Sequence, residues 1–138
     1  MSEPPPTPER PRRVLFVCVE NCNRSQMAEA FARLYGAGSV EAFSAGCRPA
    51  ASVHPKAVAA MREVGYDLTR HRSKGLSDLP DVEFDVAVTM GCGELCPPLR
   101  AKAREDWDVP CPKALPPEQV RGVRDLIGEK VKALLAGL

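Results

Sequence analysis

The chain has few aromatic residues, almost no net charge and no long apolar run. Aromatic side chains make up 5% of the 138 residues, too few for a series of base-stacking platforms. The formal net charge is +1, so the basic surface typical of nucleic-acid-binding proteins is missing. No apolar stretch approaches the length of a membrane span. We therefore expect neither nucleic acid nor a membrane as partner, and the length suits one domain with its own core.

Signal-like segments and metal-type cysteine pairs are missing as well. No apolar segment of the secretory kind follows Met1, so we expect a cytoplasmic, reducing compartment in which cysteines act as thiols. The six cysteines include no C-x-x-C pair and lie far in sequence from both histidines, which argues against structural zinc. Their positions are Cys18, Cys22, Cys47, Cys92, Cys96 and Cys111.

Apolar patterning predicts a mostly α/β chain. Residues 1–12 are proline-rich and polar and are predicted to form a disordered or extended tail, with the folded domain over 13–138. The predicted strands are 14–19, 40–44, 85–90 and, most weakly, 106–109. The predicted helices are 24–35, 55–64, 98–104 and a long final one that opens at 116–118, with a short turn near Leu76. Strands that alternate with helices predict a four-stranded parallel sheet with helices on both faces.

The most specific pattern follows the first predicted strand, where five residues separate Cys18 from Arg24 and Ser25 comes next. Such a loop can point its backbone N–H groups inward, and a helix beginning there adds the positive end of its dipole. The guanidinium of Arg24 can grip two oxygens of a tetrahedral anion. We predict an oxyanion site with Cys18 as the thiolate nucleophile and Ser25 as its hydrogen-bond donor. The lining residues would be Val19, Glu20, Asn21, Cys22, Asn23, Arg24 and Ser25.

The alternative to this oxyanion site is a buried Cys18 beside a solvated Arg24, but the strand–loop–helix context favours the anion site.

A second cysteine pair follows the third predicted strand, where Cys92 and Cys96 lie in a segment that Gly91 and Gly93 make adaptable. In a parallel sheet this segment leaves from the same edge as the Cys18 loop. A thiol relay between the two segments is therefore favoured over a pair of cysteines without a partner.

These motifs resemble the arsenate reductases built on the low-molecular-weight protein tyrosine phosphatase fold. The run from Cys18 to Glu29 carries the resemblance, with Phe43–Gly46, His54–Ala57, Tyr66–Ser73 and Val88–Pro97. The Arg-Ser-Gln-Met-Ala-Glu sequence and the second cysteine pair distinguish the reductases from the phosphatases. The resemblance implies a single domain of this fold that reduces arsenate to arsenite in arsenic detoxification. Phosphate and sulfate would be competing anions.

The resemblance also implies a relay of three thiols. Cys18 would attack arsenate, Cys92 would attack Cys18 as arsenite leaves, and Cys96 would move the disulfide to the Cys92–Cys96 pair. The second pair favours thioredoxin as reductant, while mycothiol and glutathione-type reductants stay open. A potassium or sodium ion is further implied behind the loop, with ordinary hydrogen bonding among the same residues as the alternative. Its ligands would be Asn21, Glu29, Ser44 and Asp67.

One position departs from the family pattern. Relatives carry an Asp-Pro pair whose carboxyl group is the general acid, whereas this chain has Cys111-Pro112, and a thiol is a poorer proton donor. Asp108, three residues earlier, could substitute for the acid, but its offset from the family position disfavours this role. Phosphatase activity is therefore expected to be weak. Two alternatives to a reductase stay open: a protein tyrosine phosphatase of the same fold, and an impaired oxyanion-binding regulator.

Four further residues could join the chemistry but are assigned passive roles. Cys22 and Cys47 are expected to be passive thiols. His54 precedes a proline that opens a helix and is expected to cap it. His71 lies in a polar segment and is expected to order that segment.

Overall fold

A computed structural model describes residues 11–91 and 99–138. Its regular elements run in the order β1 (Arg12–Cys18), α1 (Arg24–Tyr35), β2 (Val40–Gly46), α2 (Pro55–Arg62), β3 (Phe84–Thr89), β4 (Ala101–Asp106) and α3 (Pro117–Ala136). Short 3₁₀ turns cover Leu68–Arg70, Leu76–Asp78 and Pro112–Ala114. No helix in the described ranges is long and apolar enough to cross a membrane.

The four strands form one parallel sheet in the order β2-β1-β3-β4, which confirms the predicted architecture. β1 lies between two neighbours, and its last residues pair on both sides: Cys18 with Gly46 of β2, and Val17 with Thr89 of β3. The chain leaves β1 and β3 at the same edge of the sheet. The segment after Cys18 and the segment after Thr89 therefore start side by side, where ligands bind in sheets of this kind.

Alternating residues of β1 pack into two separate cores. Val14, Phe16 and Cys18 face a large core that all three α-helices share. Leu15 and Val17 face a smaller core covered by connecting segments, including the 3₁₀ turn Leu76–Asp78. Among the described residues, the three α-helices therefore cover one face of the sheet, and the 3₁₀ turn with connecting segments covers the other.

The long final helix follows its predicted stripe. Five apolar residues at helical spacing are all buried against the large core, which confirms the predicted face of α3. They are Val120, Val123, Ile127, Val131 and Leu134. Pro117 occupies the first turn of α3, where the missing N–H of proline costs no hydrogen bond.

The fourth strand differs from its prediction. The helix predicted over 98–104 and the strand predicted over 106–109 are both wrong, because β4 covers Ala101–Asp106. β4 is an edge strand whose side chains are mostly exposed and charged, so it lacks the alternation that marks a half-buried strand. Trp107 follows β4 and packs against Phe16, with 5.9 Å between the ring centroids.

The first strand, β1, begins at Arg12, one residue before the predicted start of the folded domain at residue 13.

Candidate active site

The segment between β1 and α1, residues 19–23, turns its backbone carbonyl groups away from its centre. Val19, Glu20 and Cys22 each accept a hydrogen bond from an outside backbone N–H at 2.8–2.9 Å. None of the N–H groups of residues 19–23 has an acceptor among the residues that the structure describes. Because α1 begins at Arg24, the free N–H groups of its first turn point the same way. The loop is therefore a nest of donors suited to an anion, as its spacing predicted.

Two backbone features allow this tight turn. Asn21 has a φ of 49°, in the left-handed region that asparagine tolerates better than most residues. Gly46 of β2 lies against the loop, and a Cβ there would be 2.7 Å from the carbonyl oxygen of Val19. Any side chain at residue 46 would therefore displace the loop backbone.

The hydrogen-bonding role of Ser25 follows from its neighbours. The backbone N–H of Lys74 donates to Oδ1 of Asn21 at 2.8 Å, which fixes the orientation of the Asn21 amide. Nδ2 of Asn21 must then donate to Oγ of Ser25, also at 2.8 Å. The Ser25 hydroxyl proton is left for Sγ of Cys18, which lies 2.9 Å from Oγ. The chain of donors therefore ends on the buried Cys18 sulfur.

Gln26 joins the loop to a distant segment and was not predicted as a site residue. Its Nε2 donates to both oxygens of Asn21 and to the carbonyl oxygen of Arg72. Its Oε1 lies 2.9 Å from Nδ1 of His71, so that nitrogen carries the proton. Nε2 of His71 then accepts from the Tyr66 hydroxyl at 2.6 Å. His71 orders its segment, as predicted, and burial lowers its pKa, which favours this neutral form.

Arg24 is held between two other segments. Its Nη1 donates to the carbonyl oxygen of Val109 at 3.1 Å. Gly91, two residues after the end of β3, approaches the guanidinium so closely that a Cβ there would lie 2.6 Å from Nη1. Gly91 is the last described residue before Cys92, so the segment that carries the second cysteine pair starts at the Arg24 guanidinium. Cys92 and Cys96 themselves lie outside the described residues.

The negative charge of Glu20 within the anion loop would repel a bound anion, and a lysine side chain neutralises it. Nζ of Lys113 lies 3.0 Å from Oε2 of Glu20, and this contact, followed by the Cys22 thiol, lowers the pKa of Glu20. Sγ of Cys22 donates to the same oxygen at 3.5 Å. Burial, then Glu20, raises the pKa of Cys22 to about 12. Cys22 is therefore a protonated thiol at neutral pH and does not compete with Cys18 as nucleophile.

One polar side chain of the loop has no partner. Asn23, the residue before α1, is 2% exposed, and neither its amide nitrogen nor its amide oxygen has a hydrogen-bond partner among the described residues. A buried amide without partners is destabilising by about 1–3 kcal/mol. The loop therefore carries a local cost in stability beside the anion site.

Three of the four residues predicted to hold a monovalent ion share one network of contacts, and the contacts of Asp67 lie outside it. Glu29 accepts from the Ser44 hydroxyl at 2.6 Å, and Asn21 is linked to the same network through Lys74. Asp67 is exposed and instead accepts from the backbone N–H of Thr69 at 3.1 Å. Within the described ranges, no group of three or more histidine, cysteine, aspartate or glutamate side chains could hold a metal ion.

Comparison with known proteins identifies the family of this architecture. The model of the low molecular weight phosphotyrosine protein phosphatases matches residues 13–138. The chain belongs to this family. It is 38% identical over 128 residues to the glutaredoxin arsenate reductase of Synechocystis sp., covering 91% of this chain and 97% of the relative.

Solved structures of this family agree in fold. An arsenate reductase in the phosphate-binding state superposes with a TM-score of 0.84 at 37% identity, over 91% of this chain and 98% of that one. The thioredoxin-dependent arsenate reductase of Corynebacterium glutamicum gives a TM-score of 0.76 at 29% identity, over 95% of this chain and 63% of that one.

Cys111 is the residue that the family resemblance predicts to stand in place of the usual acid. Cys111 is exposed between two prolines. Val109 contacts Arg24 just before it, and Lys113 contacts Glu20 just after it. These contacts fix the segment of Cys111 against the anion loop. Asp108 is exposed and forms no hydrogen bond or ion pair with any described residue.

The remaining predicted residues are also placed. Nδ1 of His54 accepts from the backbone N–H of Lys56 at 3.1 Å, which confirms the predicted helix cap. Cys47 is half-buried and packs against the smaller core, as expected of a passive thiol. Three residues were missed: Gln26, Lys74 and Lys113. Of these three, only Gln26 could have been found from the sequence, since it lies beside Ser25 in the Arg-Ser-Gln-Met-Ala-Glu motif.

Proposed function

We propose that this chain reduces arsenate to arsenite in arsenic detoxification, with Cys18 as the nucleophile. The observation that carries the proposal is the contact between Gly91 and Arg24. It brings the start of the segment with Cys92 and Cys96 against the group that grips the oxyanion. A phosphatase needs the nest, Cys18 and Arg24, but has no use for additional thiols at this place.

The first step uses groups that lie in contact. The loop N–H groups and Arg24 hold arsenate while the Cys18 thiolate attacks arsenic and forms an S–As bond. One As–O bond breaks with its electron pair on oxygen, and this oxygen leaves as hydroxide and takes a proton from solvent. The Ser25 hydroxyl, 2.9 Å from Sγ, stabilises negative charge on sulfur before the attack and when the sulfur departs. The arsenic is still pentavalent in this adduct, so the reduction belongs to the next step.

Two electrons then come from a second thiol. Cys92 attacks Sγ of Cys18, the S–As bond breaks with its electron pair on arsenic, and trivalent arsenite leaves. The product on the protein is a Cys18–Cys92 disulfide. Attack of Cys96 on Cys92 releases Cys18 as a thiolate and leaves a Cys92–Cys96 disulfide, which an external dithiol reduces. Sulfur atoms and electrons balance without a bound cofactor, because the two electrons that reach arsenic come from two thiols that end as a disulfide.

The external reductant is proposed to be thioredoxin, because the relay ends in a disulfide between two cysteines of one segment. The relatives differ in this respect: one is a glutaredoxin arsenate reductase and another a thioredoxin-dependent one. Parallel assays with thioredoxin, glutaredoxin plus glutathione, and mycothiol separate these reductants. Turnover with thioredoxin alone is the expected result.

A protein tyrosine phosphatase is the second candidate, supported by the family itself. Cys111 weighs against it, because a thiol at the place of the acid is a poor proton donor to an alkoxide or phenoxide leaving group. Arsenite formation and the hydrolysis of an aryl phosphate should be measured on one preparation. Efficient hydrolysis without arsenite would sink the reductase proposal. Anion binding without turnover in either assay would favour the impaired regulator.

A further inference from the structure

A buried carboxylate lies behind the anion loop, and two cations contact it. Glu29 of α1 is 4% exposed. Nε of Arg33 lies 3.0 Å from its Oε2, and Nζ of Lys74 lies 3.6 Å from its Oε1. Arg33 is half-exposed, whereas Lys74 is 19% exposed and reaches in from the segment that precedes the turn at Leu76.

The Lys74 ammonium group is surrounded by oxygen atoms. Besides Glu29, it donates to the carbonyl oxygen of Arg72 at 3.0 Å and to Oγ of Ser44 at 3.4 Å. A carboxylate, a hydroxyl and a carbonyl oxygen are the hard ligands that alkali cations take in proteins. A free cation bound by Glu29 and Ser44 would lie against the Lys74 ammonium and be repelled by it. The residues therefore do not fit an additional monovalent ion.

The same lysine contacts the loop through its backbone. Its N–H donates to Oδ1 of Asn21, and Asn21 donates in turn to the Ser25 hydroxyl that reaches Cys18. Side chain and backbone of Lys74 thus tie the Glu29 site to the sulfur through a continuous series of hydrogen bonds. Loss of the ammonium would leave Arg33 as the remaining cation beside Glu29, with the Ser44 hydroxyl as its hydrogen-bond donor, and would free the Lys74 segment to move.

We propose that Lys74 is a positioning residue whose ammonium group serves as a built-in monovalent cation, so that the anion loop needs no potassium or sodium ion. The structural basis is the set of three oxygens around Nζ together with the Lys74–Asn21–Ser25–Cys18 series. The inference rests on the proposed function only in that both use the Cys18 loop. It concerns binding of oxyanions and holds for a phosphatase as well.

The test compares potassium chloride with tetramethylammonium chloride at equal ionic strength, because tetramethylammonium is too large for the site. The wild type and Lys74→Ala are titrated with inorganic phosphate by calorimetry, and their thermal midpoints are recorded in both salts. Wild-type affinity and midpoint should be the same in the two salts. Lys74→Ala should lose about tenfold in phosphate affinity in tetramethylammonium and regain most of it in potassium.

Two further variants make the result specific. Lys74→Met keeps an alkyl chain in the site without charge, so it should bind phosphate weakly in both salts. Lys102→Met removes a lysine whose Nζ is also 3.6 Å from a buried carboxylate, that of Asp85, but on β4 away from the loop. It should bind phosphate normally in both salts. The readouts do not depend on arsenate turnover, so failure of the reductase proposal would be visible separately.

A potassium-dependent rise in the affinity or midpoint of the wild type would overturn the proposal, and this measurement needs no variant to fold. Equal phosphate affinity of Lys74→Ala in both salts would also overturn it. So would a potassium response of Lys102→Met as large as that of Lys74→Ala.

Discussion

Replacing Gly91 by alanine tests whether the segment after β3 governs the oxyanion site through Arg24. Gly91 has a φ of 78°, where alanine is strained, and its Cβ would lie 2.6 Å from Nη1 of Arg24 and 3.4 Å from Cζ. Backbone strain of this kind costs about 1–2 kcal/mol. The arginine tip can move aside at little further cost to folding, but it then leaves its bond to Val109 and its place above the loop.

The expected loss of phosphate affinity follows from the hydrogen bonds to the anion that Arg24 would no longer make. A charged hydrogen bond is worth about 1.5–3 kcal/mol. Phosphate affinity, and kcat/KM for arsenate, should therefore fall by about 10- to 100-fold in Gly91→Ala. Calorimetry with phosphate and an arsenite-forming assay measure the two quantities.

A matched control variant separates the effect of backbone strain from the effect of displacing the Arg24 side chain. Gly38 has a φ of 82°, and a Cβ there would meet no atom within 4 Å. Gly38→Ala should lose about as much stability as Gly91→Ala, by 1–2 kcal/mol, but keep its phosphate affinity. Unchanged phosphate affinity in Gly91→Ala, or an equal loss in both variants, would refute the reasoning.

Three other variants have definite expected outcomes. Ser25→Ala removes the hydroxyl 2.9 Å from the Cys18 sulfur and should lower kcat/KM for arsenate by about 10- to 100-fold, measured by arsenite formation. Lys113→Ala uncovers the charge of Glu20 in the loop and should weaken phosphate binding by about two- to fivefold, since the pair is exposed, and Glu20→Gln in the same chain should restore it. The pKa of Cys22 is raised from 9.0 to about 12, so the unfolded chain loses this proton first and stability is lost as pH rises through that window. Urea denaturation of Cys22→Ala should show a flatter dependence there.

The anion loop was largely predictable because its signals are local. The spacing from Cys18 to Arg24, the preceding apolar strand and the following helical pattern all lie within one stretch of sequence. The order of the loops at the sheet edge followed from the parallel pairing of β1 and β3. These features depend on periodicity and on short-range geometry, which the sequence expresses directly.

The parts that failed depend on tertiary contacts. β4 was missed because an edge strand with charged, exposed side chains has no buried face to produce a pattern. The network around Glu29 joins α1, β2 and the segment before Leu76, so the choice between Asp67 and Lys74 needs the fold. Both residues are polar and lie in the same segment, and nothing local indicates that one is exposed while the other reaches the buried carboxylate.

Mass spectrometry of the thiols after a single turnover with arsenate tests the central claim most directly. The reduced protein is mixed with arsenate without an external reductant, free thiols are blocked, and disulfides are mapped. We expect a Cys92–Cys96 disulfide in the wild type, one arsenite per chain, and a trapped Cys18–Cys92 disulfide in Cys96→Ser. All six thiols free after exposure to arsenate, with no arsenite formed, would contradict the relay.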